Sequence, residues 1–106
     1  MFGFMKKSSA AKLSVFELPP LLGKIELIDI REVSEYKGGH VPTAKNIPAG
    51  QLVQNPDKYL NKEKEYYIIC QSGGRSGQAT AVLSQAGYKV IDVTGGTGRF
   101  PGQLQR

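Results

Sequence analysis

The stretch 65-EYYIICQSGGRSGQATAVLSQAG-87 decides the fold. The run 65-EYYIIC-70 is mostly apolar, aromatic and β-branched, the composition of a short buried strand. Gly73 and Gly74 then break the run. From Arg75 onward, Ala79, Val82, Leu83 and Ala86 fall at i, i+3, i+4 and i+7, one apolar face of a helix that ends at Gly87. The next run, 89-KVIDV-93, reads as a further strand, so strand, helix and strand follow one another at short intervals.

Upstream, 25-IELIDI-30 has the same buried-strand character and ends at Asp29-Ile30-Arg31. Next, 32-EVSEYKGG-39 offers one or two helical turns closed by glycines, and 41-VPTAKNIP-48 reads as an extended crossing with prolines near both ends. The segment 49-AGQLVQNPDKYLN-61 gives short helical pieces, the second capped by Asn55. Ser14-Val-Phe-Glu17 matches a capping box, cut short by Pro19-Pro20. Gly95, Gly96 and Gly98 punctuate a closing turn. The pattern predicts an α/β domain with a largely parallel sheet and helices on both faces. Residues 1–11 are expected to form a loosely ordered tail and 12–106 one domain.

Composition narrows the possible roles. A chain of 106 residues suits one domain and buries about two-thirds of its unfolded surface. With 40% hydrophobic and 22% charged residues it is an ordinary globular composition. Its single cysteine forms no internal disulfide, which favours a reducing compartment. The opening MFGFMKKSSAAK lacks the apolar run of a signal peptide, and no segment approaches membrane-spanning length, so a cytoplasmic location is expected. The net charge of +5 is scattered, without an aromatic-basic stripe, and implies attraction for small anions rather than a nucleic-acid face.

Cys70 stands at the carboxyl end of a strand, where ligands collect in open α/β sheets. A free thiol has a pKa of about 8.5 and reacts as the thiolate. Here the following helix aims its free N–H groups and positive dipole end at the sulfur, the glycine pair lets the loop amides turn inward, and Arg75 adds a positive charge. Most lone cysteines are small buried hydrophobes. A glycine loop, an arginine and a strand-to-helix switch around this one favour a reactive thiolate. Cysteine phosphatases resemble Cys-x5-Arg, whereas four residues separate Cys70 from Arg75. The smaller ring of amides suits a single bound sulfur atom better than a tetrahedral phosphate.

Two segments, 28-IDIREVSEYKGGHVPTAKNIP-48 and 67-YIICQSGGRSGQATAVLSQAGYKVIDVTGG-96, together resemble the single-domain rhodaneses, the thiosulfate sulfurtransferase-like family. The resemblance runs from about Leu13 to Phe100. It implies a central, mainly parallel five-stranded sheet and a Cys70 nucleophile that carries the transferred sulfur as a persulfide. It also implies that Gln71, Ser72, Gly73, Gly74, Arg75 and Ser76 line the substrate loop, with Arg75 attracting the anionic donor. Asp29 and Arg31 would brace the loop, and His40, the one histidine, would fix a turn rather than act as a base. Where the family often has a tryptophan after the closing glycines, Phe100 is expected to pack.

The implied activity moves a sulfane sulfur from thiosulfate or a persulfide donor to cyanide or a thiol. With no second cysteine to resolve the persulfide, the acceptor must be external: a small thiol, a thioredoxin-like protein or a sulfur carrier. No cofactor is expected, and one cysteine with one histidine falls short of a zinc ligand set. The alternatives are a non-catalytic interaction module of the same fold and a cysteine-dependent phosphatase or arsenate reductase.

Overall fold

A computed structural model describes residues 11–106. Five strands, β1 (Ala11–Ser14), β2 (Leu27–Asp29), β3 (Lys45–Asn46), β4 (Glu65–Ile69) and β5 (Lys89–Thr94), form one sheet in the order β1-β5-β4-β2-β3. Every pairing is parallel. The helices are α1 (Val33–Gly38), α2 (Ala49–Gln54), α3 (Pro56–Tyr59) and α4 (Gly74–Gln85).

Strand periodicity splits β4 between two cores. Tyr66, Ile68 and Cys70 face one core, shared with Leu52 of α2 and Ala79 and Leu83 of α4. Ile69 and the partly buried Tyr67 face the other, with Val15, Leu18, Val41 and Tyr36 of α1. A central strand covered on both sides explains why its sequence is a nearly continuous apolar run. Helices therefore lie on both faces, as expected.

Register positions the site. Asp29 pairs with Ile69, so the end of β2 lies beside Cys70, and Asp92 of β5 pairs with Ile68 on the other side. Three loops of chemical interest thus meet at the carboxyl edge of the sheet.

Local readings differ in several places. The edge strand β1 was not anticipated: AKLS carries little strand signal, and it forms by pairing Leu13 with Val93. It begins at Ala11, within the expected tail, whose residues 1–10 lie outside the described residues. Ser14 caps only a 3-10 turn, Val15–Glu17, accepting from the Phe16 N–H at 3.2 Å. Asn55 precedes α3, but its side chain makes no capping bond; its backbone carbonyl accepts from Lys58 instead.

The buried face of α4 is also rotated from the apolar reading. Ser76, Ala79, Thr80 and Leu83 are buried, while Val82 is 50% exposed. The polar pair tolerates burial because each hydroxyl is satisfied: Thr80 Oγ1 donates back to the Ser76 carbonyl at 2.8 Å, and Ser76 bonds across to β5.

Candidate active site

The loop after β4 turns at Gly73, whose φ of 113° lies in the left-handed region that glycine adopts without penalty. That turn folds the loop back over the sulfur. The Gly73 N–H donates to Cys70 Sγ at 3.1 Å and the Ser76 N–H at 3.3 Å, with Ser76 Oγ 3.4 Å away. Cys70 is fully buried. Burial pushes its thiol up, but the Ser76 hydroxyl and the Ser76, Gly73 and Ser72 amides outweigh it, holding the thiol below its ordinary value.

Arg75, in the first turn of α4, does not approach the sulfur as a free cation. Its guanidinium forms a bidentate pair with Glu35 of α1, Nη1 to Oε1 at 2.8 Å and Nη2 to Oε2 at 3.0 Å. Arg75 in turn holds the Glu35 carboxyl down at about 2, helped by the Glu32 N–H. The cradle of amides, more than the arginine charge, therefore surrounds Cys70.

On the β2 side, Asp29 is buried and receives the backbone N–H, Nε and Nη2 of Arg31 at 2.8–3.1 Å. The same guanidinium donates through Nη1 to Gln71 Oε1 at 2.9 Å and through Nη2 to the Gly39 carbonyl at 2.7 Å. Arg31 thus links β2, the end of α1 and the loop after β4. Asn46 of β3 pins this backbone, donating to the carbonyls of Asp29 and Arg31. His40 stacks on Tyr36 with ring centroids 3.8 Å apart, and its backbone bridges to Gln105. No contact joins it to Cys70.

The closing glycines press on the loop from the third side. A Cβ on Gly96 would lie 2.4 Å from the Gln71 carbonyl oxygen, a distance no side chain tolerates. This close approach lets the Thr97 N–H donate to the Cys70 carbonyl at 2.8 Å and the Gly98 N–H to that of Gln71 at 2.9 Å. Phe100 packs beside them against the second core.

Two cavities flank the loop. One of about 510 Å³ is lined by Arg31, Glu35, Gln71, Thr97, Phe100 and Leu104. The other, about 270 Å³ and more apolar, is lined by Ala49, Val53, Arg75, Ala79 and Val82. Glu35 lines the first and Arg75 the second, so their ion pair stands between them.

Glu35, Asn46 and Asp92 escaped the sequence reading. Two of them had a faint signal: Glu35 stands three residues after Glu32 at a helix start, and Asp92 is a lone carboxylate in an apolar strand, which requires a partner.

An amide-cradled thiol at the carboxyl end of a central parallel strand defines a cysteine-loop α/β domain. The chain belongs to the rhodanese-like domain family, whose match spans residues 17–100. It is 36% identical over 83 residues to the uncharacterized protein YqhL of Bacillus subtilis, aligning 77% of this chain with 65% of that one. The putative sulfur carrier protein YrkF of the same organism is 35% identical, with 76% of this chain and 44% of the relative covered. The thiosulfate sulfurtransferase PspE of Escherichia coli is 35% identical over 92 residues, 86% of this chain and 88% of PspE. Among solved structures, SSP1007 of Staphylococcus saprophyticus superposes with a TM-score of 0.81 at 32% identity, covering 91% of this chain and 99% of that one. The chain therefore spans only part of the length of some relatives and nearly all of others. No helix among the described residues is long and apolar enough to cross a membrane.

Proposed function

We propose that the protein is a sulfurtransferase that carries a sulfane sulfur on Cys70, with thiosulfate or a persulfide as donor. The observation that carries this reading is the pair of N–H donors from Gly73 and Ser76 directed at Sγ. They favour the nucleophilic thiolate and are placed to hold the negative charge of a persulfide afterwards. Family membership and relatives such as PspE support the same chemistry.

In the first step the Cys70 thiolate attacks the outer sulfur of thiosulfate. The S–S bond of the donor breaks and sulfite departs with the electron pair, leaving Cys70 as a persulfide. In the second step an acceptor thiolate or cyanide attacks the terminal sulfur and Cys70 leaves as the thiolate. No external oxidant or reductant is needed, and the two half-reactions predict ping-pong kinetics. Because Cys70 is buried, the donor reaches it only as the crest of the loop moves aside, a motion the backbone freedom of Gly73 and Gly74 permits. The donor anion competes with Glu35 for Arg75. Because Cys70 is the single cysteine, the acceptor is an external thiol, a thioredoxin-like protein or a sulfur carrier.

The decisive experiment is the intact mass of the protein after incubation with thiosulfate and removal of the excess. The expected result is a gain of one sulfur atom that cyanide or a thiol removes, absent from Cys70→Ser. No gain in folded protein with a titratable thiol overturns thiosulfate as donor, and no gain with small persulfide donors either overturns the transferase reading. Robust Cys70-dependent hydrolysis of an aryl phosphate would overturn it in favour of a phosphatase.

A further inference from the structure

The cavity of about 510 Å³ beside the loop after β4 has no role in the scheme above, yet its size falls within the roughly 300–1,000 Å³ of small-molecule sites. Thr97 lies on its wall and is 4% exposed. The Thr97 hydroxyl is the one buried side-chain oxygen or nitrogen among the described residues without a hydrogen-bond partner. An unpaired buried hydroxyl is destabilising, and a valine would fill the same space without that cost. Because Thr97 lines the cavity, rotation about its Cα–Cβ bond turns the hydroxyl toward an occupant, which supplies the missing partner.

Gln71 supplies a second donor to the same cavity. Arg31 donates to its Oε1 at 2.9 Å, which fixes the orientation of the amide and leaves Nε2 as the free end. Nε2 lies beside Gly98, 3.1 Å from where a Cβ on that glycine would stand. The Arg31 guanidinium also lines the cavity, whereas its partner Asp29 does not, and the charge of Glu35 on the wall is taken up by Arg75. Two donors backed by a buried guanidinium complement an oxyanion with two acceptor atoms. Phe100 and Leu104 add apolar surface, which a small inorganic anion would leave uncovered. Gln71 directly follows Cys70, so an occupant lies next to the sulfur-bearing residue.

We propose that this cavity is the subsite of the sulfur acceptor and that the acceptor is an organic thiol carrying a carboxylate. The carboxylate accepts from Gln71 Nε2 and Thr97 Oγ1, and the carbon chain lies against Phe100 and Leu104. The inference rests on the sulfur-transfer reading for the fate of the thiol. The acceptor thiolate attacks the terminal sulfur of the Cys70 persulfide, the S–S bond breaks, Cys70 leaves with the electron pair as the thiolate, and the acceptor departs as a persulfide. Cyanide, with neither carboxylate nor chain, reacts without using the subsite.

The test has two arms. In the first, 3-(methylthio)propionate, which has the carboxylate and chain but no thiol, is titrated into protein that has met no sulfur donor, and backbone amide shifts are followed by NMR. The shifts should concentrate at Gln71, Thr97, Gly98 and Leu104. Thr97→Val keeps the shape and removes the donor, and should weaken binding about tenfold, the loss of one bond to a charged group. Since the hydroxyl is unpaired in the free protein, this variant should melt no lower than the wild type. In the second arm, sulfur-loaded Cys70 is discharged by 3-mercaptopropionate, by 3-mercaptopropanamide or by cyanide. Half-saturating concentrations are compared rather than rates, because the two thiols differ in acidity. The carboxylate thiol should saturate at a concentration about tenfold lower than the amide, and Thr97→Val should remove most of that difference. Shifts scattered over the surface, or binding that Thr97→Val leaves unchanged, overturn the subsite. Binding of the probe with equal half-saturation by the two thiols overturns its assignment to the acceptor. Failure of Cys70 to load is read from intact mass and overturns the transfer reading, while the first arm still decides the subsite. If the variant does not fold, the wild-type shift map and the comparison of the two thiols decide alone.

Discussion

At the scale of single residues, the most consequential group away from the sulfur is Asp29. Its carboxylate is removed from water and compensated almost wholly by Arg31, which then spends its remaining donors on Gln71 and Gly39. Breaking a buried pair leaves an uncompensated charge and typically costs about 3–5 kcal/mol. Asp29→Ala is therefore expected to lose that much in urea unfolding. It should also lower sulfur loading, since an Arg31 without its carboxylate no longer holds Gln71 at the loop. Unchanged unfolding would remove the bracing role. Cys70→Ser, in contrast, should leave stability nearly intact, because a hydroxyl of similar size can accept the same two N–H groups.

At the scale of elements, two contacts hold the loop after β4 in place. The first is the turn through Gly96, where φ is +68° and an added methyl would run into the backbone of Gln71 and Ser72. Strain of this kind costs on the order of 1–3 kcal/mol, and a backbone obstacle cannot rotate away. Gly96→Ala should lower the melting temperature and, by displacing the Thr97 and Gly98 donors, reduce loading more than its stability loss explains. The second contact is the Glu35–Arg75 pair joining α1 to α4. Both side chains are more than a third exposed or close to it, so Glu35→Gln should change stability by less than about 1 kcal/mol. The same change frees Arg75, and steady-state kinetics should show a lower half-saturating thiosulfate concentration. A higher one would mean that Glu35 orients Arg75 productively.

The same pair sets a pH dependence. The Glu35 carboxyl lies at about 2 in the folded protein against an ordinary 4.5, so folding favours its ionised form. The stabilisation is complete above 4.5 and is lost as the pH falls through that value toward 2. Melting temperatures of the wild type and Arg75→Ala should converge across that window and stay separate and parallel above it. Divergence in acid would reverse the assigned sign.

For the whole molecule, the sheet divides the interior into two cores that share the central strand. Leu52 sits fully buried in one and Leu18 in the other. Replacing either by alanine should cost about 2–5 kcal/mol, the usual range for a core leucine. Because both cores pack on β4, each variant should unfold in a single transition with an unchanged urea slope. Two transitions in either variant would show the faces melting separately.

The strand-loop-helix around Cys70, the parallel α/β class and the loop residues were legible in the sequence because hydrophobic period, glycine placement and helix termini are local properties of the chain. Asp29 and Arg31 were singled out as bracing residues only by the family resemblance, not by any local property of the chain. Tertiary structure alone decided the rest. Edge strand β1 exists because β5 offers it a ladder, and α4 turns Ser76 and Thr80 inward because Asp92 of β5 accepts from the Ser76 hydroxyl while Thr80 donates back to a carbonyl of its own helix. Glu35 meets Arg75 forty positions away in sequence, and Asp92 meets Ser76 sixteen away. Polar side chains in a linear sequence carry no mark of their partners; only the fold, by removing water from around them, determines which must be satisfied by which.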